Sequence, residues 1–174
     1  MARFDTLLST VETYQQLATE NYDRIRRLAE ELREGFCAYL GATDGACVHL
    51  VPPAGPFQPR PYGDQAFSVP PRGFRPLGPV SFGLAVRVTK GTDWLRLTLE
   101  CRKSGDDLTV AIMGGEEHTF RLPLAENTPE PFYEKIYEHV HHWFDTRIAR
   151  YRDGDSGTRE IGFDFAVEAD QGKV

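Results

Sequence analysis

The sequence predicts an α+β domain: an antiparallel meander of five to six strands, one face covered by a long N-terminal helix and a C-terminal helix, with a proline-rich excursion on the surface. Three observations carry this. Residues 80–122 alternate apolar and polar with a period of two, residues 4–40 repeat apolar positions at steps of four and three, and residues 129–152 carry a second wide apolar stripe. With 174 residues the chain is sized for one domain, here residues 1–168, followed by a tail at 169–174.

The first helix is expected over 4–40. Leu7, Val11, Tyr14, Ala18, Asn21, Ile25, Leu28, Leu32, Gly35 and Tyr39 form its stripe, no proline interrupts it, and Gly41 supplies a stop. At 1.5 Å per residue it would run roughly 55 Å, about twice the width of a small domain. Either part of it projects, or it breaks near residues 18–21 into two core helices. In the projecting form Leu7, Val11 and Tyr14 make a protein–protein interface, and Asn21 could set the register of a helix pair.

Residues 46–51 read as a short buried strand closed by Pro52-Pro53. The stretch 52–79 holds nine of the chain's twelve prolines, with Phe57, Tyr62, Phe67 and Phe74 interspersed. Those aromatics predict a loop lying on the domain. Its Arg72, Phe74 and Arg75 could display an extended strip to a partner.

The meander follows: Val80 to Val88, Leu95 to Cys101, Leu108 to Ile112 and His118 to Leu122, with turns at Lys90–Asp93, Ser104–Asp107 and Gly114–Glu116. Leu95, Leu97, Leu99, Val110, Ile112 and Phe120, with Val140 and Trp143 of the second helix, are the expected core. That helix spans 129–152, capped by Thr128 with Pro129 at its first position, and a last strand is expected over 160–168 at a sheet edge.

Chemistry is sparse. No GxSxG, P-loop, GxGxxG or HExxH occurs. The densest polar cluster lies on the second helix, where Glu134, Glu138, His141, His142 and Asp145 share a side and Glu138 stands four residues from His142. Such spacing can chelate a divalent ion and would suit a metal-dependent hydrolase or nuclease. On the polar side of the sheet, a first hairpin centred on Gly91-Thr92 would set Arg87 opposite Arg96 and Thr89 opposite Trp94, with Arg102 and Arg121 on the same face. Two opposed arginines suggest an anion or nucleotide site. His49 and His118 lie on apolar strand faces as boundary histidines.

Cys37, Cys47 and Cys101 form no CxxC and read as reduced thiols in apolar stretches. The opening residues meet Glu12 before any apolar run, and no window is apolar enough to span a bilayer, so a cytoplasmic protein is expected. A charge of −6 disfavours nucleic acid as a partner. The leading reading is a non-catalytic interaction module of adaptor, immunity or chaperone type, without cofactor, that binds a protein partner and self-associates. The metal hydrolase and the anion-binding protein are the alternatives.

Overall fold

The computed structural model describes residues 2–42, 46–70, 72–154 and 163–168. The element order is α1 (Arg3–Leu40), β1 (Val48–Val51), β2 (Val80–Arg87), β3 (Asp93–Ser104), β4 (Asp107–Ile112), β5 (Glu117–Arg121), α2 (Glu130–Arg152) and β6 (Asp164–Val167). The strands form one antiparallel sheet in the order β1-β2-β3-β4-β5, and β6 pairs with the first half of β3 beside β4. This is the α+β arrangement expected. The first part of the strand expected over 160–168, and the tail 169–174, lie outside the described residues.

Period-two alternation puts one set of side chains on the helix side of the sheet. Phe82, Leu84, Leu95, Leu97, Leu99, Leu108, Val110, Ile112 and Phe120 are all buried there. They meet Ile25, Leu28, Leu32 and Phe36 of α1 and Phe132, Tyr133 and Ile136 of α2. Gly35 lets the two helices close, since a Cβ there would stand 1.9 Å from the Tyr133 hydroxyl. Val140 and Trp143, expected in the core, are only half-buried. Beyond Ile136, α2 lies over the aromatic edge of the sheet instead, where Trp143 meets Phe163 and Phe165. Thr128 makes no cap: Pro129 takes that place, accepting from the Phe132 and Tyr133 N–H groups.

α1 is one continuous helix of 38 residues, about 57 Å long. No break occurs near Asn21. Asn21 is buried and donates to the Gly78 carbonyl at 3.2 Å, so it ties the proline-rich loop to the helix and serves no helix pair.

Two further expectations are corrected. Cys37 and Cys47 are joined in a disulfide between the end of α1 and the chain entering β1, while Cys101 is a free, buried thiol whose pKa burial pushes up. Cys37 lies on the last turns of a helix that packs on β1, and Cys47 directly precedes β1, which sets their Cα atoms 5.7 Å apart. The first hairpin is also wider than a two-residue turn. Thr89 bonds the Asp93 carboxylate and accepts from the Gly91 N–H, closing a five-residue loop over 88–92. This shifts the register by two. Arg87 faces Trp94, and Arg96 faces Ala85.

Candidate functional site: the projecting half of α1 and the proline-rich loop

The seam of α1 runs Phe4, Leu7, Val11, Tyr14, Ala18, Asn21, Ile25, Leu28, Leu32. From Ala18 onward its members are buried. Toward the N-terminus it opens: Phe4 is 70% exposed and Leu7 is 59% exposed, and beside the seam Leu8 and Leu17 are nearly half exposed. Val11 is half-buried.

Tyr14 has an intramolecular use. Phe74 stacks on its ring at 5.3 Å with planes 8° apart, and the Leu77 N–H donates to its hydroxyl at 2.6 Å. The loop therefore climbs the helix only as far as Tyr14. Three further contacts hold it there. The Arg75 guanidinium lies over the Tyr22 ring at 4.6 Å, the Tyr22 hydroxyl donates to Asp64 at 2.8 Å, and Arg26 pairs with Asp64 at 2.9 Å. Burial, then the hydrogen bond to Asp64, pushes the Tyr22 pKa up to about 12. Of the three loop residues expected to face a partner, Arg75 is half-buried and committed to Tyr22, whereas Phe74 and Arg72 are exposed. Between Leu17 and Leu77 lies a groove also lined by Glu20, Asn21, Arg24, Gly78, Arg102 and Lys103.

The outer sheet face is not the open arginine surface expected. Trp94 is 2% exposed and Arg96 is 4% exposed. Residues 52–58 cover them, with Phe57 packed against Val51, Ala85 and Trp94. Arg96 donates to the Pro52 and Gly55 carbonyls at 3.1 and 2.8 Å and pairs with the Asp164 carboxylate at 2.7 Å, its guanidinium 4.7 Å from the Phe57 ring. The Thr98 hydroxyl donates to the Pro53 carbonyl at 2.9 Å. Prolines bring carbonyls without N–H groups, so a buried arginine and a threonine supply the donors. Gly83 permits the close approach, since a Cβ there would lie 2.7 Å from the Pro52 oxygen. Arg96 is thus a peg for the loop, and no opposed arginine pair forms. Arg102 donates to both oxygens of Glu117 at 2.9 and 3.0 Å, and Arg121 is exposed on β5.

On α2, Glu134, Glu138 and His142 line one groove with Gly115, Glu116, Lys135 and His139. His141 instead stacks on Tyr137 and Asp145 is exposed. Glu134 accepts from the Tyr39 hydroxyl, and His142 shares a hydrogen bond with Thr146 at 3.3 Å. Among the described residues no three His, Cys, Asp or Glu side chains gather as metal ligands would. His49, His118 and His139 are half-buried, and burial pushes the pKa of each down. His49 lies against Trp94, His118 between Phe120 and Phe132, and His139 against Phe163.

The interface named from the sequence, Leu7, Val11 and Tyr14, left out Phe4 and Leu8. The signal was present: Phe4 precedes Leu7 by three, and Leu8 follows Phe4 by four.

No family model matches the chain, and no curated protein or solved structure shows significant similarity to it. No helix among the described residues is long and apolar enough to cross a membrane.

Proposed function

We propose that this protein is a non-catalytic interaction module that docks, and self-associates, through the projecting half of α1. The carrying observation is that one heptad-spaced seam continues past the domain, with Phe4, Leu7 and Leu8 in solvent. Contiguous apolar exposure of this kind marks interfaces more often than monomer surfaces. A two-fold pair of tips is the simplest closed arrangement. Because the free seam is short and Tyr14 is already engaged by Phe74, the pairing is concentration-dependent.

Light scattering over a concentration series tests this. The wild type should rise above the 19.7 kDa of one chain, and Leu7→Glu/Val11→Glu should stay there. A single-chain mass for both, together with unchanged capture of host partners, would leave the tip as scaffold.

The reading carries a compartment with it. A cytoplasmic chain would be kept reduced, with Cys37 and Cys47 as a dithiol able to close, whereas an oxidising compartment would keep the bond. Alkylation in denaturant on lysis of host cells, which also exposes the buried Cys101, should trap three thiols in the first case and Cys101 alone in the second.

A further inference from the structure

Among the described residues, β6 pairs only with β3, and no strand pairs with its outer edge. The Glu168 N–H donates to the Thr92 carbonyl at 2.7 Å, and Ala166 and Asp164 pair with Trp94 and Arg96. Hydrogen-bonding phase alternates along an antiparallel strand. Asp164, Ala166 and Glu168 therefore turn their backbone groups toward β3, and Phe165 and Val167 turn theirs away. No described residue takes those outward N–H and C=O groups. β5 is treated differently. The Asn127 side chain accepts from the Arg121 N–H and donates to the Arg121 carbonyl, and the Lys135 ammonium donates to the Glu117 carbonyl at 3.0 Å. The β5 edge is plugged by side chains and the β6 edge, among the described residues, is not, although unprotected edges invite strand pairing.

The open edge is furnished for a strand of particular chemistry. On the helix side Phe165 and Val167 are 52% and 61% exposed, continuous with the Trp143 and Phe144 rings. On the outer side the row is Asp164, Ala166, Glu168: acid, small, acid, with one oxygen of the Asp164 carboxylate held by Arg96 and that side chain still 69% exposed. A groove between β6 and residues 55–58 runs beside that row. Opposite charges across a strand pair stabilise it and like charges destabilise it. A second copy fits poorly. Antiparallel self-pairing centred on Ala166 sets Asp164 against the Glu168 of the other copy twice, and centring on Phe165 gains no charge pair.

We infer that the outer edge of β6 binds an extended segment of a partner protein in which apolar residues alternate with Lys or Arg four positions apart. Its backbone pairs with Phe165 and Val167, its apolar side chains lie beside theirs, and its cations face Asp164 and Glu168. This surface is separate from the α1 tip and does not depend on it.

Fluorescence anisotropy with a labelled, end-capped heptapeptide, Val-Lys-Val-Thr-Val-Lys-Val, tests the inference on the full chain. Saturable binding is expected, weakened about tenfold when glutamates replace the two lysines. Val167→Pro removes an N–H that points away from β3 and should abolish binding while the melting curve holds. Glu168→Lys, on an exposed side chain, should lower the preference for the lysine peptide and needs no backbone change. Leu7→Glu should leave peptide binding unchanged, which separates this surface from the tip. Absence of saturable binding to the wild type, equal binding of both peptides, or binding indifferent to both β6 variants would overturn the inference. So would a wild-type dimer that Val167→Pro dissolves, because the occupant would then be a second copy.

Discussion

Residues 4–17 and 21–36 of α1 carry the same alternating seam, and only the second half has a sheet to lie on. Ile25, Leu28, Leu32 and Phe36 are buried in the core, whereas Phe4 and Leu7 stand mostly in water on the same helix face. Periodicity therefore reports that a face is made to be covered; it does not report by what. Even β3, the longest strand at 12 residues, spans only ~40 Å, so a helix of 38 residues, about 57 Å long, must outrun it.

The sharpest way to break this comparison is truncation. Leu32→Ala or Ile25→Ala should cost about 2–5 kcal/mol in urea unfolding, through lost burial and the cavity left behind. Leu7→Ala should change stability by no more than about 0.5 kcal/mol. Equal costs would mean the tip packs on its own domain.

The covered half is also stapled. Reducing Cys37–Cys47 releases a loop of ten residues, and on the chain-entropy account should lower stability by about 2–3 kcal/mol. Chemical unfolding with and without reductant reads this directly. A smaller loss, about 1–3 kcal/mol, is expected for Asn21→Ala, which strands the Gly78 carbonyl at the boundary between the halves.

The smallest effect is acid dependence. His49, His118 and His139 have pKa values lowered by burial in aromatic joints, so the unfolded chain binds protons more readily. Stability from these joints is fully present above the unfolded value near 6.5 and is lost as pH falls below it toward the folded values. Melting temperature should be flat above neutrality and decline below about pH 6.5. A rise on acidification would contradict the neutral assignment.

Much of the fold was legible because its signals are local. The strands show in Val80–Val86, Leu95–Cys101 and Leu108–Ile112, where one face is dry and the period is two. The Ser104–Asp107 turn shows too, with Gly105 at φ +59°. What stayed hidden depends on partners distant in sequence. Trp94 and Arg96 occupy positions that alternate like a wet face, and their cover is an aperiodic loop anchored by carbonyls. The register of the first hairpin is hidden because Thr89 and Asp93 close its loop through side chains. Asn21 on an apolar stripe has the same appearance whether it meets another helix or the Gly78 carbonyl.

Amide hydrogen exchange along α1, at low and at high protein concentration, tests the docking claim most directly. Residues 21–36 should be protected at both concentrations, and residues 4–11, beyond the reach of the loop on Tyr14, should gain protection only at the higher one. Protection of 4–11 that is equal at both concentrations, whether strong or absent, would contradict the docking claim.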